Sequence, residues 1–183
     1  MNFLMAGMKH CGKSTHGKAL AKHLHCSFYD TDDLIVKDHF DSTGEKLSCR
    51  DFFKKYGADG FQQAETKVFR ALCERLQRST SHHVISVGGR LACNIDLEED
   101  LKEFGSFVYI KTEPRLLFDR VMRNGRPPFL SEESPYADFA RLCKEREPYY
   151  EKFADLTIEL GDEPLYKVRR DVIARVEEFI NGR

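Results

Sequence analysis

The chain has 183 residues, 41% apolar and 32% charged; that balance excludes wholesale disorder and predicts one soluble globular domain. A chain this long buries about 70% of its unfolded surface, so its core needs neither disulfides nor a metal. With 29 Lys and Arg against 30 Asp and Glu the net charge is −1, which argues against a dedicated nucleic-acid binder, and no apolar run is long enough to span a membrane.

Met1 leads directly into a short apolar run, with no basic segment before a long apolar one. No secretory signal is expected, and the expected setting is cytoplasmic. The six cysteines (Cys11, Cys26, Cys49, Cys73, Cys93 and Cys143) stand singly, without a CxxC pair. They read as reduced, mostly buried thiols rather than metal knuckles or a disulfide framework.

In chain order, residues 2–6 form a buried strand ending at Gly7, and residues 13–24 carry a helical stripe at Ala19, Leu20 and Leu24. Residues 27–29 form a second strand closed by Asp30, Thr31, Asp32 and Asp33. Residues 48–56 and 59–76 read as two helices broken at Gly57; Phe61, Ala64, Val68, Phe69 and Leu72 make the apolar face of the second. Strands at 83–87 and 107–110 follow, the first ending in Gly88 and Gly89. Pro114 opens a helix to about residue 123, residues 124–135 form a Gly/Pro-punctuated loop, and residues 136–153 are helical with Pro148 breaking or bending them. A fifth strand at 156–159 and a helix at 164–180 close the chain. Strands alternating with helices predict an α/β fold: a five-stranded parallel sheet with helices on both faces. Ligands on such sheets sit at the carboxyl ends of the strands.

The stretch from Gly7 to Thr15 matches G-x-x-x-x-G-K-[ST] between a strand and a helix. Gly7 and Gly12 let backbone N–H groups turn inward around phosphate oxygens, and the helix N-terminus adds its positive dipole end. Lys13 reaches the β- and γ-phosphates and the Ser14 hydroxyl suits Mg²⁺. ATP and Mg²⁺ are therefore the expected cofactors. His10 reads as a solvent-facing loop side chain. Cys11, beside the positive helix end, is expected to be a reactive thiolate that ATP protects from alkylation. Asp30 and Asp32 follow the second strand: one carboxylate can serve Mg²⁺ and the other can take a proton from an attacking hydroxyl. The same acidic cluster also reads as a helix N-cap. Set about 15 residues beyond a phosphate loop, it points to a small-molecule kinase.

These blocks, with Leu34 and Ile35, with Phe53, Gly57 and Phe61 before Glu65, with Val87, Gly88 and Gly89, with Arg126 and Pro127, and with Arg146, Pro148 and Tyr150, resemble the shikimate kinase family over nearly the whole chain. The resemblance implies a monomer with a P-loop fold of the nucleoside-monophosphate-kinase type, single over 1–183. It implies a substrate-binding helical region at about 32–78 and a lid at about 124–135. It implies transfer of the γ-phosphoryl of ATP to a ring hydroxyl of shikimate, a small-molecule partner. Lys13, Ser14 and Thr15 would hold ATP and Mg²⁺, with Asp30 helping to organise the metal. Asp32 would bind acceptor hydroxyls and act as the base, and Gly89 would offer its N–H to the substrate. Arg126 would close over the phosphates, Arg146 would grip the substrate carboxylate, and Arg120 would lie against adenine near Pro164. Phe53 and Gly88 would line the acceptor pocket.

Two positions depart from that pattern. The family carries an arginine after the phenylalanine matching Phe61, and it clamps the carboxylate; here the residue is Gln62. A neutral amide cannot form that bidentate charged pair. The family's third glycine after Gly88 and Gly89 is here Arg90. Either Arg90 replaces the clamp and shikimate remains the acceptor, or the pocket is rebuilt for another polyol, with Gln62 and Glu65, three apart on one helix face, bonding hydroxyls. A nucleotide-binding module without turnover is a further reading. Lys13, Ser14, Asp32 and Arg126 argue against it, because a pure binder needs no base.

Overall fold

A computed structural model describes residues 1–123, 125–127 and 129–182. Two residues of the expected lid, Asn124 and Pro128, and the terminal Arg183 lie outside the described residues. Five strands, β1 (Asn2–Ala6), β2 (Ser27–Asp30), β3 (His83–Ser86), β4 (Ser106–Thr112) and β5 (Leu156–Leu160), form one parallel sheet in the order β2-β3-β1-β4-β5. The helices are α1 (Lys13–His23), α2 (Thr31–Thr43), α3 (Cys49–Leu76), α4 (Glu98–Phe104), α5 (Pro114–Met122), α6 (Pro135–Phe153) and α7 (Leu165–Asn181).

Strand β1 is central. Its register sets Leu4 beside Ile85 on one side and Phe107 on the other. Phe3, Leu4, Met5 and Ala6 have no exposed surface, as expected of a parallel strand covered on both faces, where the apolar run is continuous rather than alternating. The carboxyl ends of β1, β2 and β3 therefore open side by side, at Gly7, at Asp30 and at Val87. The helices α2 and α3 carry a separate small apolar cluster of Ile35, Phe52 and Val68, with Leu34, Leu47, Phe61 and Ala64 against it. That cluster joins α2 to α3 around Asp32 and Gln62, and Leu34 packs against both it and the main core.

Helix α2 was not among the expected elements as a full helix, although the acidic N-cap that begins it was. Asp30 is that cap, accepting from the Asp32 N–H at 3.1 Å, and Gly44 ends the helix in left-handed geometry with φ 73°. Helix α4 and two short 3₁₀ turns, Leu91–Cys93 and Ile95–Leu97, were also missed. Of the break or bend expected at Pro148, the break is corrected: α6 continues through the proline from Pro135 to Phe153. A proline there removes one intrahelical donor but does not end a helix whose flanking residues, Cys143 and Tyr150, are buried against the core.

The break at Gly57 is real. Its φ of 70° and ψ of −169° sit inside α3 and divide it. Side-chain-bearing residues almost never adopt this region, even though a Cβ would meet nothing within 4 Å. Gly57→Ala is expected to destabilise the protein by on the order of 1–3 kcal/mol, read by urea denaturation. A loss well under 1 kcal/mol would mean that the kink does not need glycine.

Candidate active site

The loop after β1 turns on Gly7 (φ 137°) and Gly12 (φ 100°). Gly7 is required sterically as well, because a Cβ there would lie 2.5 Å from the Ile110 carbonyl oxygen of β4. Lys13 Nζ donates to the Gly7 and Met8 carbonyls, each at 3.0 Å, so the cation is held within the loop that would receive phosphate. Ser14 Oγ donates to Asp30 Oδ2 at 2.6 Å and lies 3.2 Å from Ser86 Oγ. Three strand ends thus meet at one cluster of hard oxygen atoms, the donor type that suits Mg²⁺.

Cys11 departs from expectation. It has no exposed surface, and its backbone N–H donates to the Met8 carbonyl at 3.2 Å. The expectation of an accessible, reactive Cys11 is therefore corrected: the side chain packs inward against Gly7, under the loop. Only Cys11 and Cys143 of the six thiols are buried, so the expectation of mostly buried cysteines is also too broad. His10 is half-buried with φ 66°, and burial and the charges of Lys9 and Lys13 hold its pKa down.

Next to Thr15, the buried His16 packs on Gly12 and has no partner for Nδ1 among the described residues. Its pKa is pushed down to about 4 by burial and by Arg169 and Arg120, so the imidazole is neutral at pH 7. Arg120 Nη2 donates to the Gly161 carbonyl at 3.4 Å and faces Asp162 at 3.9 Å, which sets it near Pro164, the residue capping α7.

On the acceptor side, Thr31 Oγ1 accepts the Gly88 N–H at 2.8 Å. That tie fixes the turn after β3 against the start of α2. The pKa of Asp32 is raised, first by burial and then by the charge of Asp30. The Cys49 thiol, pushed up to about 12 by burial and by Asp32, stays protonated and hydrogen-bonds Asp32. The Gly89 carbonyl accepts from Tyr150 Oη at 2.5 Å and from Arg146 Nη1 at 3.4 Å.

Beyond Asp32 lies a concavity lined by Phe61, Gln62, Glu65, Arg90, Cys93 and Asn94. Phe53, at its outer edge, meets Phe61 edge to face at 5.7 Å. Gln62 Nε2 donates to Asn94 Oδ1 at 3.1 Å, and Asn94 Nδ2 donates to Thr66 Oγ1 at 2.8 Å. Glu65 is 1% exposed, and its Oε1 has no partner among the described residues. Burial and Asp32 push its pKa up to about 8, against the lowering influence of Arg90 and Arg146. Glu65 is therefore a neutral acid at pH 7.

Arg126 is not drawn to the phosphate loop here. Its contacts stay within its own segment: Nη1 donates to the Leu130 carbonyl, and Nη2 meets Glu132 at 2.6 Å. Glu132 is largely exposed, so this pair is weakly held.

Sequence reasoning places Glu65 in the pocket as a hydroxyl-bonding partner of Gln62 but not as a buried acid; it reads Cys49 only as a thiol and does not single out His16. The signal available for Glu65 was an acidic residue on the apolar face of α3, between Phe61 and Val68.

A phosphate-binding turn between a buried parallel strand and a helix, on a sheet ordered β2-β3-β1-β4-β5, defines a P-loop protein of the nucleoside-monophosphate-kinase type. The shikimate kinase family model matches residues 9–177. A shikimate kinase from Caldanaerobacter subterraneus subsp. tengcongensis is 32% identical over 94% of both chains. Among solved structures, shikimate kinase from Acinetobacter baumannii in complex with shikimate superposes with a TM-score of 0.81 at 30% identity, covering 99% of this chain and 93% of that one. The Aquifex aeolicus shikimate kinase gives 0.78 at 28% identity and full coverage of both. The chain belongs to the shikimate kinase family.

The proton on Glu65 has a thermodynamic consequence. The unfolded chain releases it near the ordinary value of 4.5, whereas the folded protein keeps it to about 8. Stability associated with this group is fully present below pH 4.5 and falls as pH rises toward 8. Glu65→Gln removes that penalty. Its melting temperature relative to wild type is expected to rise by several degrees between pH 5 and pH 8, at about 2–4 °C per kcal/mol for a domain of this size. A difference that does not change with pH would contradict the assignment.

Proposed function

We propose that the protein is an ATP-dependent kinase that transfers the γ-phosphoryl of ATP to a ring hydroxyl of shikimate. The observation that carries this reading is the coupling of Ser14 to Asp30 at 2.6 Å with Asp32 two residues on. It brings the end of the glycine-rich loop against the carboxylates that follow β2, which supports reading the loop as the nucleotide site and Asp32 as the base. Family membership and the likeness to a shikimate-complexed relative support the choice of acceptor.

The loop from Gly7 to Thr15 binds the triphosphate through its N–H groups. Lys13 leaves the Gly7 and Met8 carbonyls to reach the β- and γ-oxygens, and Arg120 with Pro164 borders the adenine. Ser14 and Asp30 would hold Mg²⁺, which neutralises phosphate charge when bound. Asp32 orients the acceptor hydroxyl in line with the γ-phosphorus and takes its proton. Its raised pKa brings it closer to that of a useful base. Charge on the transferred group is spread over its equatorial oxygens, and Arg126, released from Glu132 as the lid closes, meets it there. Closure also excludes the water that would otherwise hydrolyse ATP. Arg146, anchored on the Gly89 carbonyl, faces the acceptor.

One observation favours a second reading, a kinase for a different polyol. Gln62 and Asn94 give the far wall a neutral hydrogen-bonding character, where the family pattern has an arginine. Coupled ADP release with shikimate, compared with gluconate and inositols, separates the two: preference for shikimate is expected, and preference for an uncharged polyol would favour the second. Asp32→Asn is expected to lower turnover by at least about 10²-fold, the usual size of a general-base contribution, with Mg-ATP affinity changed far less. Turnover within threefold of wild type would remove Asp32 from the role of base.

A further inference from the structure

The acceptor pocket presents a problem of charge. Its buried carboxyl, Glu65, has no hydrogen-bond partner for Oε1 among the described residues, and Asp32 lies alongside: a Cβ on Gly88 would be 2.2 Å from Glu65 Oε1 and 3.3 Å from Asp32 Oδ1. The side chain at 62, the residue that could supply a charged clamp, is a neutral amide fastened to Asn94, which is itself fastened to Thr66. Turning Gln62 toward a ligand would break the first of these bonds, and it would still bring no charge.

Cations nevertheless reach this pocket from two other elements. Arg146 comes from α6 and rests on the Gly89 carbonyl at 3.4 Å. Arg90 comes from the turn after β3 and lines the concavity directly. Among the groups facing Glu65, Asp32 on α2 acts against its ionisation, whereas Arg90 and Arg146 favour it. Arg90 is exposed, and its guanidinium makes no hydrogen bond or ion pair among the described residues. Its backbone, by contrast, is fixed. The Leu91 N–H donates to the Gly88 carbonyl at 3.0 Å, the Cys93 N–H donates to the Arg90 carbonyl at 2.9 Å, and Leu91 is wholly buried. An exposed, unpaired guanidinium on a turn held by backbone hydrogen bonds, lining a pocket whose buried acid has an unpartnered oxygen among the described residues, is arranged to receive an anion.

We propose that Arg90 determines acceptor specificity: with Arg146 on the other side of Gly89, it grips the acceptor's carboxylate from the turn after β3, a clamp relocated from helix position 62. This rests on the kinase reading above and names the group that recognises the acid end of that substrate. Glu65, as a neutral acid beneath the two guanidiniums, can donate a hydrogen bond to the same anion rather than repel it. A planar guanidinium suits this role because it offers two parallel donors to a carboxylate.

The test is steady-state kinetics with shikimate and with its methyl ester, which lacks the charge, on wild type, Arg90→Leu, and Arg90→Leu combined with Gln62→Arg. Loss of one charged contact corresponds to about a ten- to hundredfold loss of affinity. Arg90→Leu is expected to raise KM for shikimate by that factor, far more than it lowers kcat or alters KM for Mg-ATP. The methyl ester is expected to respond much less. Returning an arginine at 62 in the Arg90→Leu background is expected to recover at least about tenfold. If wild type phosphorylates shikimate and Arg90→Leu leaves its KM within twofold, or if ester and acid suffer equally, the proposal falls while the kinase reading stands. If wild type does not use shikimate at all, the reading of the acceptor falls, and the proposal falls with it.

Discussion

A single hydrogen bond, from the Ser14 hydroxyl to the Asp30 carboxylate at 2.6 Å, ties the two halves of the site together. Ser14 stands at the start of α1, immediately after the loop that follows the central strand, while Asp30 ends the edge strand β2 and caps α2. Strand β3 lies between them and contributes Ser86 to the same cluster. The sheet order therefore has a chemical consequence. Because β3 separates β1 from β2, the loop after β1 and the carboxylates after β2 start from strands two places apart in the sheet, roughly 10 Å at the usual interstrand spacing, and it is the Ser14 side chain, beside Ser86, that spans to Asp30.

Burial then sets which groups carry charge. Asp30 accepts from both Ser14 and the Asp32 N–H. Asp32, partly withdrawn from water beside it, is raised above the ordinary carboxylate value by burial and by the charge of Asp30, and Glu65 is pushed up to about 8 by burial and by Asp32. Both of these acids are therefore harder to ionise than a carboxyl in water.

Much of this was legible in the sequence because it depends on local rules. The strand before Gly7 and the helix after Gly12 follow from an apolar run and a G-x-x-x-x-G-K-[ST] match. The break at Gly57 is visible because glycine interrupts a helical stripe, and the parallel sheet follows from the alternation of strands and helices. What stayed hidden depends on packing across the fold. Cys11 was read from its place beside a helix N-terminus, but burial decides its chemistry. Pro148 carries a strong local signal for breaking a helix, yet the buried faces of α6 on either side override it. The partnership of Gln62 with Asn94 joins residues 32 apart in sequence, and the orphaned oxygen of Glu65 becomes apparent only once Gly88 and Asp32 are seen against it. The family resemblance pointed to Gln62 as a departure, but its tie to Asn94, and that of Asn94 to Thr66, appear only in the folded chain.

The most direct check on the central arrangement is a crystal structure with a non-hydrolysable ATP analogue, Mg²⁺ and shikimate bound together. The account predicts the triphosphate within the turn from Gly7 to Ser14, Lys13 moved from the Gly7 and Met8 carbonyls onto the phosphates, and an acceptor hydroxyl between Asp32 and the terminal phosphorus. Nucleotide bound away from that turn, or Asp32 directed away from the acceptor with its carboxylate far from the γ-phosphate, would contradict it.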